Sequence, residues 1–131
     1  MAGLKRVTTA KGWQIGPMAA IDIGKAPGVG ATMKWSLVNR TGAARAGKIV
    51  VLRVPSLGSP VEIRNTSFSS IANDSTLDLQ TTISTSGLPS GTHEYTAEFF
   101  DAASGAAPTN SVAKVGFSIT ISGWDVGTVT V

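Results

Sequence analysis

The sequence predicts an all-β protein: one two-sheet sandwich of seven or eight antiparallel strands with an extended N-terminal arm. Apolar and polar residues alternate strictly over 30–37, and the same period returns over 95–99 and 113–121. Successive side chains of a strand point to opposite faces, so each run has one dry and one wet face. Turn-forming residues separate the runs, and no helical period is longer than a turn. Two packed layers are the usual solution for such a chain.

The first half of the chain divides into an arm and four strands. Residues 1–17 show no clean period and predict the arm, with Trp13 and Ile15 as anchors. Alternation over 19–23 predicts a first strand, and the run over 31–37 predicts a second. Residues 49–54 are almost continuously apolar. This favours either a central strand covered on both faces or an edge that joins two layers. A short, partly exposed strand follows at 61–64.

The second half repeats the pattern. A polar connection over 66–74 and a loop at 86–91 separate three further alternating segments, at 77–83, 95–99 and 113–121. We therefore expect three parts in the chain: an arm over 1–17, a sandwich over 18–121 and an additional C-terminal strand over 122–131.

Composition argues against several kinds of chemistry. The chain of 131 residues has no cysteine and one histidine, which excludes disulfides and thiolate chemistry and disfavours a transition-metal site. His93 has no nucleophile in a suitable context and is expected as an exposed loop residue rather than a general base. Glu94, Glu98 and Asp101 are expected on a solvated face rather than in a glycosidase cleft. Calcium at Asp101 or Asp74 stays open, although no segment resembles an EF-hand loop. We expect no cofactor, no metal and no enzymatic activity.

Charge is divided unequally along the chain. Residues 1–64 carry ten basic and two acidic residues, a balance of +8, and residues 65–131 carry one basic and six acidic residues, a balance of −5. Two interpretations remain open. Either the halves interleave in space, or patches of opposite sign meet between neighbouring copies or face an anionic surface.

Two segments resemble parts of known modules. Residues 88–97, Leu-Pro-Ser-Gly-Thr-His-Glu-Tyr-Thr-Ala, are similar to the corner of immunoglobulin-like sandwiches that precedes the penultimate strand. Together with residues 35–42, Trp-Ser-Leu-Val-Asn-Arg-Thr-Gly, they resemble CARDB-type and related bacterial Ig-like modules. The resemblance implies that the Tyr95 hydroxyl bonds to nearby backbone. It also implies an adhesive, spacer or assembly role without catalytic residues.

Targeting signals and basic residues near the chain ends bear on localisation and binding. No secretory signal and no apolar run of transmembrane length is present, so we expect a protein made in the cytosol with no membrane contact. Lys5, Arg6 and Lys11 fit an arm that reaches onto an acidic neighbouring subunit better than they fit nucleic acid. Trp13 and Trp124 are either core residues or interface anchors.

These observations favour a non-enzymatic structural subunit of an assembly. The most concrete expectation is a virion-surface protein, a capsid decoration or cement subunit, that binds copies of itself or a major capsid protein and forms a homo-oligomer. The residues expected to contact partners are Lys5, Arg6, Lys11, Trp13, Trp124, Val129 and Val131. The alternative is an extracytoplasmic, and therefore extracellular, carbohydrate-binding or adhesion module. It predicts a surface row of aromatic residues, with Phe100 and Trp124 as candidates.

Overall fold

The computed structural model describes residues 8–16, 22–28, 30–122 and 129–130. It has the predicted all-β, two-sheet architecture, and the described residues form ten strands. Their bounds are β1 Thr8–Ala10, β2 Trp13–Gly16, β3 Asp22–Lys25, β4 Ala31–Asn39, β5 Arg45–Val54, β6 Val61–Ile71, β7 Thr76–Ile83, β8 Gly91–Ala103, β9 Asn110–Ile121 and β10 Val129–Thr130.

The first sheet is built around β4. One side of β4 pairs antiparallel with β7 through eight consecutive residues, from Ala31 opposite Ile83 to Val38 opposite Thr76. The other side is shared by the two ends of the chain. β2 pairs with it antiparallel near Leu37, and β10 pairs with it parallel at Met33 and Lys34. β1 continues the sheet beyond β2.

The second sheet has the strand order β3-β9-β8-β5-β6. Its last four strands follow the order that immunoglobulin-like sandwiches show in one of their sheets. The expected seven or eight antiparallel strands are ten, and two pairings are parallel: β3 with β9 and β10 with β4. Both parallel pairings involve short strands, because β3 has four residues and β10 has two.

Residues 8–16 of the expected arm form a hairpin within the sandwich. Lys11 and Gly12 both have positive φ, 47° and 85°, and form the two-residue loop of the β1–β2 hairpin. Such a loop matches the twist of the flanking strands. Trp13 and Ile15 alternate with more exposed residues and are fully buried, so the hairpin has an apolar face that packs into the core. Over these residues a hairpin replaces the extended arm that the sequence predicted.

An aromatic cluster fills one end of the core. Trp13, on β2, meets Phe99, on β8, edge to face with ring centroids 4.8 Å apart. Phe68 of β6 and Trp35 of β4 complete the cluster at centroid distances of 6.1 Å and 6.5 Å from Phe99. The cluster draws on both sheets, so it holds the two layers together by burial and by favourable ring geometry.

Tyr95 does not form the corner bond that the resemblance implied. Its side chain is 2% exposed and stacks on Phe117, with ring centroids 5.2 Å apart. The hydroxyl is buried and finds no hydrogen-bond partner among the described residues. The stacked ring is thus part of the core. Burial raises the pKa of the Tyr95 hydroxyl, and the Arg53 guanidinium opposes this to a smaller extent.

Gly47 is expected to tolerate no side chain. A Cβ there would lie 2.7 Å from Phe99 Cε1 and closer still to Phe68 Cζ. Gly47→Ala should therefore lower the free energy of unfolding by about 2 kcal/mol or more. Gly116→Ala is the matched control, because its nearest neighbour would be 3.9 Å away, and it should change stability by less than about 0.5 kcal/mol. Urea unfolding measures both, and equal effects would contradict the packing described.

Tyr95→Phe removes a buried hydroxyl that has no described partner, so it should leave stability at neutral pH unchanged or raise it. The raised pKa means that the folded protein keeps its proton after the unfolded chain has lost it. Stability from this group is therefore complete below the unfolded pKa of about 10 and is lost as the pH rises above it. Tyr95 is the only tyrosine. The urea midpoint should fall less between about pH 8 and about pH 10.5 in the variant than in the wild type. A loss of more than about 1 kcal/mol at neutral pH would indicate a hydroxyl bond after all.

Candidate functional site

Three residues expected to contact partners lie against the chain's own body. The indole of Trp13 is fully buried. The Lys11 ammonium donates to the Ser111 carbonyl oxygen at 2.5 Å and to Asn110 Oδ1 at 3.4 Å. Val129 pairs through its backbone with Met33. These contacts direct all three towards the sandwich itself. Four further candidates, Lys5, Arg6, Trp124 and Val131, lie outside the described residues.

Asp101 is a buried structural carboxylate. It was expected on the solvated face with Glu94 and Glu98, but it is 1% exposed. Its Oδ2 accepts from Trp13 Nε1 at 2.8 Å and from Arg45 at 3.0 Å, and its Oδ1 accepts from Asn110 Nδ2 at 2.7 Å. A charge this deeply buried needs such partners, because leaving it unpaired costs several kcal/mol. This carboxylate therefore joins β8 to the hairpin and to β5.

Asn39 is a second buried polar centre at the same end of the sandwich. Its Nδ2 donates to the carbonyl oxygens of Ala43 and Ile71 at 2.8 Å and 2.9 Å, and its Oδ1 accepts from the Thr41 backbone and hydroxyl. The side chain is fully buried. Next to it, Arg40 forms an exposed ion pair with Asp74 at 2.9 Å. Asn39 therefore closes the turn that the sequence predicted there.

The charges of the two sequence halves meet within one molecule. The ion pairs Arg40–Asp74 and Arg45–Asp101 each join a basic residue of the first half to an acidic residue of the second. Strand pairing in the second sheet mixes the halves further, because β5 lies between β6 and β8. These pairs correspond to the interpretation in which the two halves interleave.

The histidine and the described groove offer little for catalysis. His93 is partly exposed, and its Nε2 donates to the Pro89 carbonyl oxygen at 2.8 Å. An open groove of about 510 Å³ lies beside the start of β5 and is lined by Ala46, Gly47, Ser67, Phe68, Ser69, Gly105, Ala106 and Pro108, none of them ionisable. Among the described residues no three His, Cys, Asp or Glu side chains gather as a metal site would require. No helix in the described ranges has the length and hydropathy needed to cross a membrane.

The outer face of β5 carries an apolar row, which we call the β5 stripe: Val50, Leu52, Val54 and, at the tip of the following hairpin, Leu57. The inward residues Ile49 and Val51 are fully buried, so the alternating residues face outwards. Val50 and Leu52 are half-buried by neighbouring strands, whereas Val54 is 37% and Leu57 88% exposed. The nearly continuous apolar run is thus an internal strand of its sheet. Only its inward residues are fully buried.

Charged residues border the β5 stripe. Glu98 and Glu94 of β8 lie directly opposite Val50 and Val54. At the other end the Lys48 ammonium sits 5.4 Å from the centre of the half-buried Phe100 ring, a cation–π contact that covers this aromatic side chain. The β5 stripe therefore has an apolar centre and a charged border, which is the arrangement of a protein-binding patch.

The outer face of the first sheet is different. The wet face of β4 shows Thr32, Lys34, Ser36 and the partly buried Val38, and the neighbouring β7 shows Thr76, Asp78, Gln80 and Thr82. Contact between these mainly polar side chains and water costs little free energy. The contrast between the two outer faces makes the β5 stripe the candidate functional site, because apolar side chains in a row on a wet face are not needed for folding.

Comparison of the chain with protein-family models, with curated proteins and with solved structures found no match.

The buried contacts of Asp101 predict that replacing this aspartate destabilises the protein much more than replacing the exposed Asp74. Asp101→Asn should lower the free energy of unfolding by about 2 kcal/mol, because Arg45 loses its buried counter-charge and one amide must face other donors. Asp74→Asn is the control. Its ion pair with Arg40 is exposed, and asparagine tolerates the positive φ of 67°, so the loss should stay below about 1 kcal/mol. Equilibrium unfolding in urea compares them. A harmless Asp101→Asn would contradict the buried network.

Proposed function

We propose that this protein is a non-enzymatic assembly subunit that docks a partner protein on the β5 stripe. The single observation that carries the proposal is the row of apolar side chains on the outer face of β5, ending in Leu57 at 88% exposure. Water contact with such side chains is unfavourable, and covering one of them fully contributes about 1.5–3 kcal/mol. A partner that covers the stripe gains most of such a contribution from Leu57 and a smaller part from each of the other three, which are already partly buried. These gains offset part of the entropy lost on association.

The border of the stripe supports a choice of partner. Glu94 and Glu98 lie on the side of β8, and a further carboxylate, Glu62, stands opposite Leu52 on β6. Cations lie at the border too: Lys48 stands on the same row of β5, and Lys114 of β9 lies directly opposite Glu98. We therefore infer a partner surface with an apolar centre and charged groups of both signs around it. Electrostatic attraction at such a rim speeds association and sets orientation, while the apolar centre supplies affinity.

A protein partner fits this surface better than a glycan. The carbohydrate-binding alternative requires a row of exposed aromatic rings on a sheet face. Phe100 is half-buried beneath Lys48, and Trp124 lies outside the described residues. The large apolar side chains that the described residues expose are aliphatic: Val54, Leu57 and Val61. Aliphatic side chains favour a close-packed protein surface over the hydroxyl-rich faces of a sugar.

The virion-surface role, as a capsid decoration or cement subunit, is the narrower form of this proposal and stays a prediction. A small sandwich that lends one apolar face to a larger particle suits such a role. Many weak contacts repeated on a lattice would add up to stable attachment. In this form the partner is a major capsid protein, and binding to particles is the corresponding measurement.

The test adds two lysines to the stripe and two elsewhere. Val54→Lys with Leu57→Lys changes two exposed positions, so folding should be preserved. The control, Ser36→Lys with Thr9→Lys, adds the same charge to the outer face of the first sheet, where both residues are exposed. The wild-type chain is used to isolate its partner from the natural source, and the complex is rebuilt from the purified proteins. The affinity for the partner should fall by about tenfold or more in the stripe variant and stay unchanged in the control.

Salt and partner class complete the experiment. The rebuilt complex should persist at high ionic strength, because its affinity comes from apolar burial rather than from screened charges. Equal binding by the stripe variant and the control variant would overturn the proposal. Binding to glycans that survives in the stripe variant would instead favour the carbohydrate-binding alternative.

A further inference from the structure

Among the described strands, β7 forms one edge of the first sheet. Its eight residues pair with β4 in an uninterrupted register, and none of the described strands pairs with its other side. Alternate residues of an antiparallel edge strand direct N–H and C=O groups away from the sheet. These groups form a ready template for another strand. The inner side of β7 is held in place, because Thr81 is buried and shares a hydrogen bond of 3.0 Å with Thr66 of β6.

The other described edges carry features that discourage pairing. β6, the long edge of the second sheet, has two irregularities in its register with β5 and carries Glu62 and Arg64. The edges β1 and β3 are only three and four residues long. β7 has no irregularity, no proline and a single charge, Asp78. Natural sheets protect their edges with bulges, charges and short strands, and β7 has almost none of this protection.

We propose that β7 pairs antiparallel with β7 of a second copy of this chain, with Gln80 on the two-fold axis. The proposal uses a surface distinct from the β5 stripe and stands independently of the partner proposed there. Residues that face each other in an antiparallel pair lie on the same face of the sheet. Only registers that oppose inward residues to inward residues therefore keep Leu77 and Leu79 on the core side.

Overlap and charge together select among these registers, because axes at Leu79 and Gln80 pair the most residues of Thr76–Ile83. With the axis at Asp78 the two carboxylates would stand directly opposite each other, which is destabilising. With the axis at Leu79 they would lie about 7 Å apart along the strands, within the screening length of about 8 Å. With the axis at Gln80 the separation is about 14 Å, because each Asp78 faces Thr82 of the other copy. This register also places Leu77 opposite Ile83.

The pairing would cover side chains of β7 that are partly exposed in a single copy. Leu77 and Leu79 are of intermediate exposure on the inner side of the edge, and a neighbouring strand would cover them with Ile83 and Thr81. On the outer side, Gln80 would face Gln80, and side-chain amides can donate to and accept from each other. The first sheet of one copy would continue into that of the next.

Cysteine cross-linking tests the register directly, because the chain contains no cysteine. Across an antiparallel pair, facing Cα atoms lie about 4.5–5.5 Å apart, which suits a disulfide. Gln80→Cys should therefore form a covalent dimer with oxidised glutathione as oxidant. The two thiols lose two electrons and two protons, and the oxidant becomes two molecules of reduced glutathione. Dimer is measured over time on non-reducing gels.

Two single-cysteine variants are the controls. Ser36→Cys places an exposed thiol on the same face, one strand away from the edge. Thr82→Cys places a thiol on the edge itself but away from the proposed axis. Gln80→Cys should cross-link several-fold faster than either. Equal rates for all three would indicate random collision and overturn the proposal, and faster linking through Thr82 would overturn the register on which it depends.

A non-covalent measurement removes dependence on the disulfide. Sedimentation of the wild-type chain at increasing concentration should show a monomer–dimer equilibrium, and Gln80→Lys should abolish it by placing two cations opposite each other. A wild type that stays monomeric at its solubility limit would contradict the pairing. Gln80→Lys should still bind the partner of the β5 stripe, and the Val54→Lys, Leu57→Lys variant should still dimerise, so failure of one proposal is distinguishable from failure of the other.

Discussion

The hydrogen bond from the Trp13 indole to the Asp101 carboxylate is the contact on which the described fold depends most. It ties the N-terminal hairpin to β8, across the two sheets, over 2.8 Å. The same carboxylate binds Arg45 and Asn110, so β5 and β9 are held by one buried charge. The Trp13 ring in turn packs on Phe99. An apolar cluster and a satisfied polar centre thus occupy the same end of the sandwich and fix the alignment of its layers.

With the layers fixed, two surfaces stay incompletely covered. The β5 stripe is an apolar row on the outer face of the second sheet, and β7 is an edge of the first sheet as far as its strands are described. One interaction would bury side chains and the other would pair backbone groups, so they do not compete for the same chemistry. A subunit that uses both joins a different protein to a dimer of this chain. Because the β7 pairing is two-fold and closed, the assembly extends only where that protein binds more than one copy.

Some of these features could be predicted from the alternation of residues along the chain. Asp101 falls in step with Tyr95 and Phe99, which marks it as inward-facing, so its burial was available from the alternation. The hairpin over 8–16 was not, because its loop is Lys11-Gly12 rather than the Asn-Gly or Asp-Gly that signals such a turn. The hydroxyl bond expected of Tyr95 fails for a tertiary reason: the ring is buried against Phe117, and its hydroxyl has no hydrogen-bond partner among the described residues.

The sequence by itself determined the all-β class, the strand periods and the two apolar faces of 49–54, since these depend only on the alternation of neighbouring residues. The tertiary structure decided which of those faces became core and which stayed outside. It also decided that the hairpin and β10 share one side of β4, while β7 lies on the other side and ends the sheet among the described strands. Such outcomes follow from pairings between residues far apart in the chain, and local periodicity carries no information about which distant strand lies alongside.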